Sequence, residues 1–258
     1  MIFNGLRFIL ASIRALILMI SLVIFIAPYA LLSGIFFQNT PERAYGLRRF
    51  YVNIAIFILG IRIEKDGKLY NESCLYVCNH RSFSDPLILL KYLDAYVIAK
   101  AEVADMPLIH TGAKLTGIIY VKRDSKDSRT AVRRTLIKTI KEDNFNVLVY
   151  PEGTTNPFKS VMEYRPGTFL EAAKHGIAVV PVVLEYKHEK DVWFNRGLFA
   201  QFFRQFGHPF THTKLSVGPM FKNEDGIALR DEVWQWSENK NQEMHDGWGS
   251  YFSEHEKI

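Results

Sequence analysis

The sequence predicts an α/β fold: a mixed, mostly parallel central sheet with helices on both faces, preceded by an N-terminal apolar, membrane-associated helical hairpin. Three observations carry this. From Ala15 to Phe37 the chain holds no charged residue. From Ile61 onward, short β-rich runs alternate with helix-period segments, the pattern of strands joined by crossover helices and covered on both faces. No internal repeat or low-complexity linker interrupts the alternation. The predicted division is therefore 1–60 as the membrane-associated segment and 61–258 as one α/β domain.

The apolar segment ALILMISLVIFIAPYALLSGIFF is long enough for a bilayer core, which takes roughly 20 residues. It exceeds the about 7–15 apolar residues of a signal peptide, and no clear A-x-A cleavage site accompanies it. Pro28 and the pair Ser33-Gly34 are points where a helix kinks or breaks. Arg7 and Arg14 precede the segment, and Arg43, Arg48 and Arg49 follow it. Charge on both sides fits a hairpin dipping into one anionic leaflet, where a simple span prefers one-sided charge. FYVNIAIFILGI, from Phe50 to Ile61, is too short to span alone and reads as the second arm. One plain transmembrane anchor is the competing reading.

The soluble elements follow in order. Strands are expected at IRIEKDG from Ile61, CLYVCN from Cys74, AYVIA from Ala95 and IIYV from Ile118. NVLVY from Asn146, IAVVPVVLEY from Ile177 and TKLSVG from Thr213 complete the set. Helices are expected over Pro86–Leu93, Val103–Leu115, Lys126–Lys141 and Thr168–His175, with a last one in the polar, Trp-rich stretch beyond Gly218. That last helix is expected to pack its tryptophans on the domain edge. In the helix over 126–141, Ala131, Val132, Leu136, Ile137 and Ile140 form a core-facing stripe. Basic residues occupy much of the rest, either as a solvated face or as a dock for an anionic membrane or acidic carrier protein.

The charge balance excludes little. The 32 Lys and Arg against 27 Asp and Glu give +5, compatible with an anionic partner and equally with a solvated basic surface. No aromatic-interleaved basic motif supports nucleic-acid binding. Cys74 and Cys78 are the only cysteines. They share one face of a strand and read as small core residues in a reducing compartment, with no second pair to complete a zinc site. No metal-ligand spacing, G-x-S-x-G, G-x-x-x-x-G-K-[ST] or G-x-G-x-x-G is present. Nucleophile-elbow hydrolases and nucleotide-binding enzymes thus lack support.

Chemistry concentrates in CNHRSFSDP, Cys78 to Pro86. A strand-end histidine can take a proton from a substrate hydroxyl near neutral pH, and a nearby carboxylate can orient the imidazole and stabilise its charged form. Alternatively, Asp85 before Pro86 is an N-cap and N1 pair, which gives the aspartate a purely structural job. A His–Asp pair without its own nucleophile suits direct transfer, in which the substrate's hydroxyl attacks. Further blocks are GIIYVKR (Gly117 to Arg123), YPEGTTN (Tyr150 to Asn156), YRPGTF (Tyr164 to Phe169) and VVPVVL (Val179 to Leu184). Gly153 is expected to supply a positive φ in its turn, and Pro181 points to a strand edge or a bulge.

In this order and spacing the blocks resemble the glycerophospholipid acyltransferase family, specifically its 1-acylglycerol-3-phosphate acyltransferase-like members. That family carries N-H-x-x-x-x-D, G-x-x-[FY]-[IV]-x-R, F-P-E-G-T-R-S and V-P-[IV]-x, here Asn79-His80…Asp85, Gly117…Arg123, Tyr150-Pro151-Glu152-Gly153-Thr154-Thr155 and Val180-Pro181-Val182. The resemblance covers roughly residues 60 to 190. It implies His80 as general base and Asp85 as its orienting partner. It also implies that Lys100, Arg123 and the Glu152-Gly153-Thr154 loop place the acceptor headgroup, and that Pro181 shapes a pocket. The co-substrate implied is acyl-CoA or acyl-carrier protein, with no cofactor and no metal. The partners implied are membrane lipids, a lysophospholipid (lysophosphatidic acid by default) and an acyl carrier protein. The site implied is the cytoplasmic side of an inner membrane. Thr155 departs from the pattern, standing where the family has Arg. That leaves room for a zwitterionic lysophospholipid or a lyso-aminolipid, with Arg165 as a replacement cation. A donor-independent transacylase and a non-catalytic membrane scaffold of the same fold stay open.

Overall fold

A computed structural model describes residues 2–36, 40–100, 118–121, 126–193 and 197–248. Two helices come first, α1 (Ile2–Ile35) and α2 (Pro41–Leu59), followed by β1 (Ile61–Asp66), β2 (Leu75–Cys78), α3 (Asp85–Leu90), β3 (Ala95–Lys100) and β4 (Ile118–Val121). The chain continues through α4 (Lys126–Lys141), β5 (Asn146–Val149), α5 (Gly167–Lys174) and β6 (Val179–Tyr186). It ends with α6 (Leu198–Phe206), β7 (Thr211–Val217) and α7 (Gly226–Asp246). The helix expected over Val103–Leu115 lies outside the described residues.

The seven strands form one sheet in the order β1-β7-β6-β2-β5-β3-β4. All pairings are parallel except β6 with β7, which makes the sheet mixed and mostly parallel, as the alternation predicts. Both faces are covered. Alternate residues of β2 and the residue before it show it: Cys74, Tyr76 and Cys78 enter the core shared with α2, α3 and α6, while Leu75 and Val77 enter the core shared with α4, α5 and α7. The two thiols are free and buried, as expected. In α4 the predicted stripe is narrower than expected: Leu136 and Ile140 are buried, but Ala131 is exposed.

The N-terminal segment departs from the prediction in three ways. First, α1 runs unbroken through Pro28, Ser33 and Gly34. Second, α2 is not a free arm, because Val52, Ile56 and Leu59 belong to the same core as the sheet. Residue 60 is therefore no packing boundary. Third, two of the flanking arginines are spent on protein carbonyls. Arg14 donates to those of Phe206, His208 and Pro209 at the exit of α6, and Arg48 to those of Ala95 and Leu93. A buried guanidinium needs such partners, having five donors and little water.

Helix α6 has no counterpart among the predicted elements. Its bracket of Gly197 and Gly207 and its phenylalanines at 199, 202, 203 and 206 are the signal that marks it.

Candidate active site

The site lies where β2, β5 and β6 end, on the side of the sheet where parallel strands present ligand-binding loops. Asn79 prepares the turn. Its side chain pairs with Leu184 like a strand residue, Nδ2 donating to the carbonyl at 3.0 Å and Oδ1 accepting the amide at 2.9 Å. The amide group thus extends the β2–β6 ladder and frees the backbone to leave the sheet.

His80 is held on three sides. Its backbone N–H donates to Glu152 Oε2 at 2.6 Å, Nδ1 meets Asp85 Oδ2 at 2.8 Å, and its ring stacks on Tyr150 with centroids 4.2 Å apart. The side chain keeps 20% exposure. Because the carboxylate accepts, Nδ1 carries the hydrogen and Nε2 presents its lone pair.

Asp85 does not cap its helix. Ser84 occupies the N-cap position without a side-chain capping bond, and Asp85 is the first helical residue. Its buried carboxylate turns back instead. Oδ2 accepts from the backbone N–H of Arg81 at 2.6 Å and of Ser82 at 2.9 Å as well as from His80, and Oδ1 accepts from the Tyr186 hydroxyl at 2.6 Å. The cap reading is overturned because these donors lie on the loop before the helix, and they fix the carboxylate against the imidazole.

Glu152 likewise faces inward, 2% exposed. Oε2 takes the His80 amide, and Oε1 takes Asn156 Nδ2 and the Met162 amide at 3.2 and 2.8 Å. Burial pushes its carboxyl above the usual range, against the lowering effect of these donors. The carboxylate ties two loops together and is buried against the main chain, where the resemblance implies a group placing the headgroup. Gly153 has the expected positive φ, 78°. A Cβ there would fall 2.5 Å from the Arg165 guanidinium carbon, so Arg165 lies across this loop, exposed. Thr154 is exposed as well, and Thr155 half-buried.

Pro181 is neither on an edge strand nor in the site. It pairs with Val77 in the middle of the sheet, three residues before His80 on the adjacent strand, which places it about 10 Å below the histidine at roughly 3.3 Å per residue. Its missing N–H falls where β7 has ended at Val217, and Gly218 N–H donates to its carbonyl at 2.8 Å. Lys100 closes β3 opposite Val121, but its side chain, like Gly117 and Arg123, lies outside the described residues.

Sequence reasoning missed a buried charge network beside the loop. Arg81, fully buried, pairs with Glu185 at 2.5 Å and reaches Asn241 and the carbonyls of Asn156 and Lys159. His245 Nε2 lies 3.6 Å from Glu185, and burial, the largest influence, holds the imidazole below its usual range. The C-terminal helix α7 therefore carries polar groups that fix the loop as well as tryptophans that cover the sheet.

A loop-held histidine oriented by a carboxylate, with Nε2 free and no serine or cysteine bonded to it among the described residues, is suited to activating a hydroxyl brought by substrate. A family model described as acyltransferase matches residues 60–185, from the last residue before β1 to the penultimate residue of β6. Residues 60–185 belong to the acyltransferase family. Two lyso-ornithine lipid O-acyltransferases, from Pseudomonas aeruginosa and Rhodobacter capsulatus, are 29% and 28% identical over 58% and 52% of this chain. The matches span 57% and 49% of those relatives, about half their length. A 1-acyl-sn-glycerol-3-phosphate acyltransferase from Haemophilus influenzae is 24% identical over 70% of this chain and 77% of its own. The crystal structure of the 1-acyl-sn-glycerophosphate acyltransferase PlsC from Thermotoga maritima has the same fold, with a TM-score of 0.66 over 93% of this chain and all of that one, at 18% identity. The acyltransferase match contains His80, Asp85, Glu152 and Pro181, and Lys100 and Arg123 as well.

Proposed function

We propose that this acyltransferase esterifies the free hydroxyl of a membrane lysolipid, with His80 as general base. The Asp85–His80 Nδ1 bond of 2.8 Å carries the reading. His80 Nε2 takes the hydroxyl proton as the oxygen attacks the carbonyl of an acyl thioester, acyl-CoA or acyl-carrier protein. The new C–O bond forms, the C–S bond breaks, and the proton passes to the departing thiolate. Asp85 stabilises the imidazolium formed on the way. Holding both substrates at one strand end lowers the barrier mainly by proximity.

Lysophosphatidic acid is the default acceptor, its phosphate met by Lys100, Arg123 and the Arg165 that lies over Gly153. A lyso-aminolipid is the second reading. It is favoured by Thr155, which offers no cation, and by the two relatives named as lyso-ornithine lipid enzymes.

Membrane association rests on α1. The segment Gly5–Tyr29 is long and apolar enough to cross a bilayer, and only 12% of its apolar window is buried. Yet it is attached to the domain along its length. Phe8 stacks on Phe203, Arg14 is bonded to the exit of α6, the Leu18 carbonyl accepts from the Tyr51 hydroxyl, and Phe25 packs on Phe50. Residues 8 to 25 of a helix extend about 26 Å at 1.5 Å each. A perpendicular crossing would draw the attached domain into hydrocarbon, so α1 lies along one leaflet, with its exposed face in the lipid. The two free thiols fit a cytoplasmic side. The exposed Arg134, Lys138 and Lys141 of α4 offer an acidic acyl carrier protein a dock.

The test is mass spectrometry of lipids formed by wild-type and His80→Ala protein, offered both donor types and a mixture of lysolipids. A rate loss of about 10²–10⁴ with unchanged melting is expected. Transfer by His80→Ala at the wild-type rate removes His80 as the base. The product mass separates the acceptors, and transfer without any thioester identifies a transacylase.

A further inference from the structure

We propose that Tyr186 is a positioning residue for the His80–Asp85 pair, the final donor of a buried hydrogen-bond chain that runs from α6 to Asp85 Oδ1. The proposal rests on the reading of His80 as general base and adds what sets that base's working range.

The chain can be followed proton by proton. Tyr186 Oη has one hydrogen, and its shortest bond, 2.6 Å, goes to Asp85 Oδ1. The 2.9 Å contact between Tyr186 Oη and Ser84 Oγ must then be donated by the serine. With its hydrogen committed, Ser84 Oγ accepts from Gln205 Nε2 at 3.2 Å. Gln205 Oε1 in turn accepts from Ser82 Oγ, also at 3.2 Å. Ser84 Oγ also lies 3.2 Å from Ser82 Oγ, a longer contact than the 2.9 Å one to Tyr186 that takes its single hydrogen. Along the chain from Ser82 through Gln205, Ser84 and Tyr186, each donor then points toward the carboxylate, an order in which each bond polarises the next. All of these side chains are at most 2% exposed, so water does not compete for the partners.

The two oxygens of Asp85 are supplied differently. Oδ2 is held by two backbone amides and His80, whereas Oδ1 has the Tyr186 hydroxyl as its only donor among the described residues. A buried carboxylate oxygen without a donor binds a proton more readily. The other ionisable groups nearby do not replace that donor. Arg81 turns its guanidinium to Glu185. The Glu152 carboxylate is occupied by the loop amides. The Cys78 thiol and Tyr150 hydroxyl, both pushed well above their ordinary values by burial, interact with Asp85 through space without a hydrogen bond to it. Asp191, the other carboxylate felt by Tyr186, is bonded to Lys190 and Thr211.

The experiment compares the pH profiles of kcat/KM for wild-type, Tyr186→Phe and Ser84→Ala protein. Without the tyrosine hydroxyl the pair holds its proton more tightly. The acidic limb, below which the base is protonated, moves to higher pH by about one unit, and kcat/KM below it falls about tenfold. KM on the plateau stays the same. Ser84→Ala leaves the hydroxyl in place but unpolarised, so its limb moves in the same direction by less. Ser84→Ala is the smaller cut and decides the matter where Tyr186→Phe does not fold. A limb that stays in place in the folded variants, with or without loss of kcat, overturns the proposal while His80→Ala remains inactive. Activity surviving in His80→Ala instead overturns the general-base reading on which it stands.

Discussion

Two loops meet at the carboxyl ends of neighbouring strands, and each buries a carboxylate. The loop after β2 carries Asp85 and the loop after β5 carries Glu152. Both accept backbone amides at 2.6 Å. They differ in what else reaches them. Asp85 also touches an imidazole and a tyrosine hydroxyl, whereas Glu152 is filled by two amides of the main chain and one of Asn156. A carboxylate whose donors are all amides, none of which titrates, is scaffolding. One that shares an oxygen with a titrating side chain can take part in proton transfer. The motif around each residue looks equally functional in sequence, and only the donors separate them.

The sharpest way to break this contrast is Asp85→Asn. The amide keeps size and shape but sets the imidazole in the wrong tautomer and cannot stabilise the imidazolium, so kcat should fall about 10³-fold or more. The loss of stability should be far smaller, about 1–3 kcal/mol for misfitted buried donors. Steady-state kinetics beside urea unfolding checks the ratio. A kcat that falls no further than stability loss explains would return Asp85 to a structural role.

Much of this was legible in the sequence and some was not, for physical reasons. The strands announced themselves because apolar runs covered on both faces have no other soluble use. His80 and Asp85 lie five residues apart, so a local motif captures them. Tyr186 and Glu185, by contrast, reach the same loop from about a hundred residues away, and Asn241 from farther still. Nothing local in β6 distinguishes a tyrosine that packs from one that donates. The inward turn of Glu152 was hidden for the same reason, since E-G-T reads identically whether the carboxylate faces substrate or main chain. The apolar content of α2 is plain in the sequence but its cover, the domain core at Val52, Ile56 and Leu59, is not, because composition does not say whether lipid or protein lies against a side chain.

A smaller effect sharpens the other half of the comparison. Glu152→Gln puts an amide NH2 where an oxygen now accepts, so at least one buried amide of His80 or Met162 loses its partner. The expected cost is about 1–3 kcal/mol, with a turnover loss of about tenfold as the His80 backbone relaxes. Activity and stability should fall together here, unlike at Asp85. The pH dependence has a definite sign. Burial raises the folded carboxyl, so the native state binds the proton more tightly than the unfolded chain. Stability from this group is full below the unfolded carboxyl's range and is lost as pH rises through the folded value. Unfolding of Glu152→Gln measured from acid to neutral pH should lack that slope. A slope equal to wild type would mean that another carboxyl carries it.

The smallest expected change concerns the ring between the two loops. Tyr150 opens the β5 loop and stacks on His80 of the other, yet its buried hydroxyl has no hydrogen-bond partner among the described residues. A hydroxyl buried in this way costs free energy that a phenylalanine does not, while the stack depends on the ring alone. Tyr150→Phe should therefore raise stability by about 1 kcal/mol, or about 2–4 °C in melting temperature for a chain of this size, and leave kcat within about twofold. Thermal unfolding and steady-state kinetics on one preparation measure both. A tenfold loss of kcat with the melting gain intact would show that the hydroxyl meets the substrate, and would move the β5 loop from scaffold to chemistry.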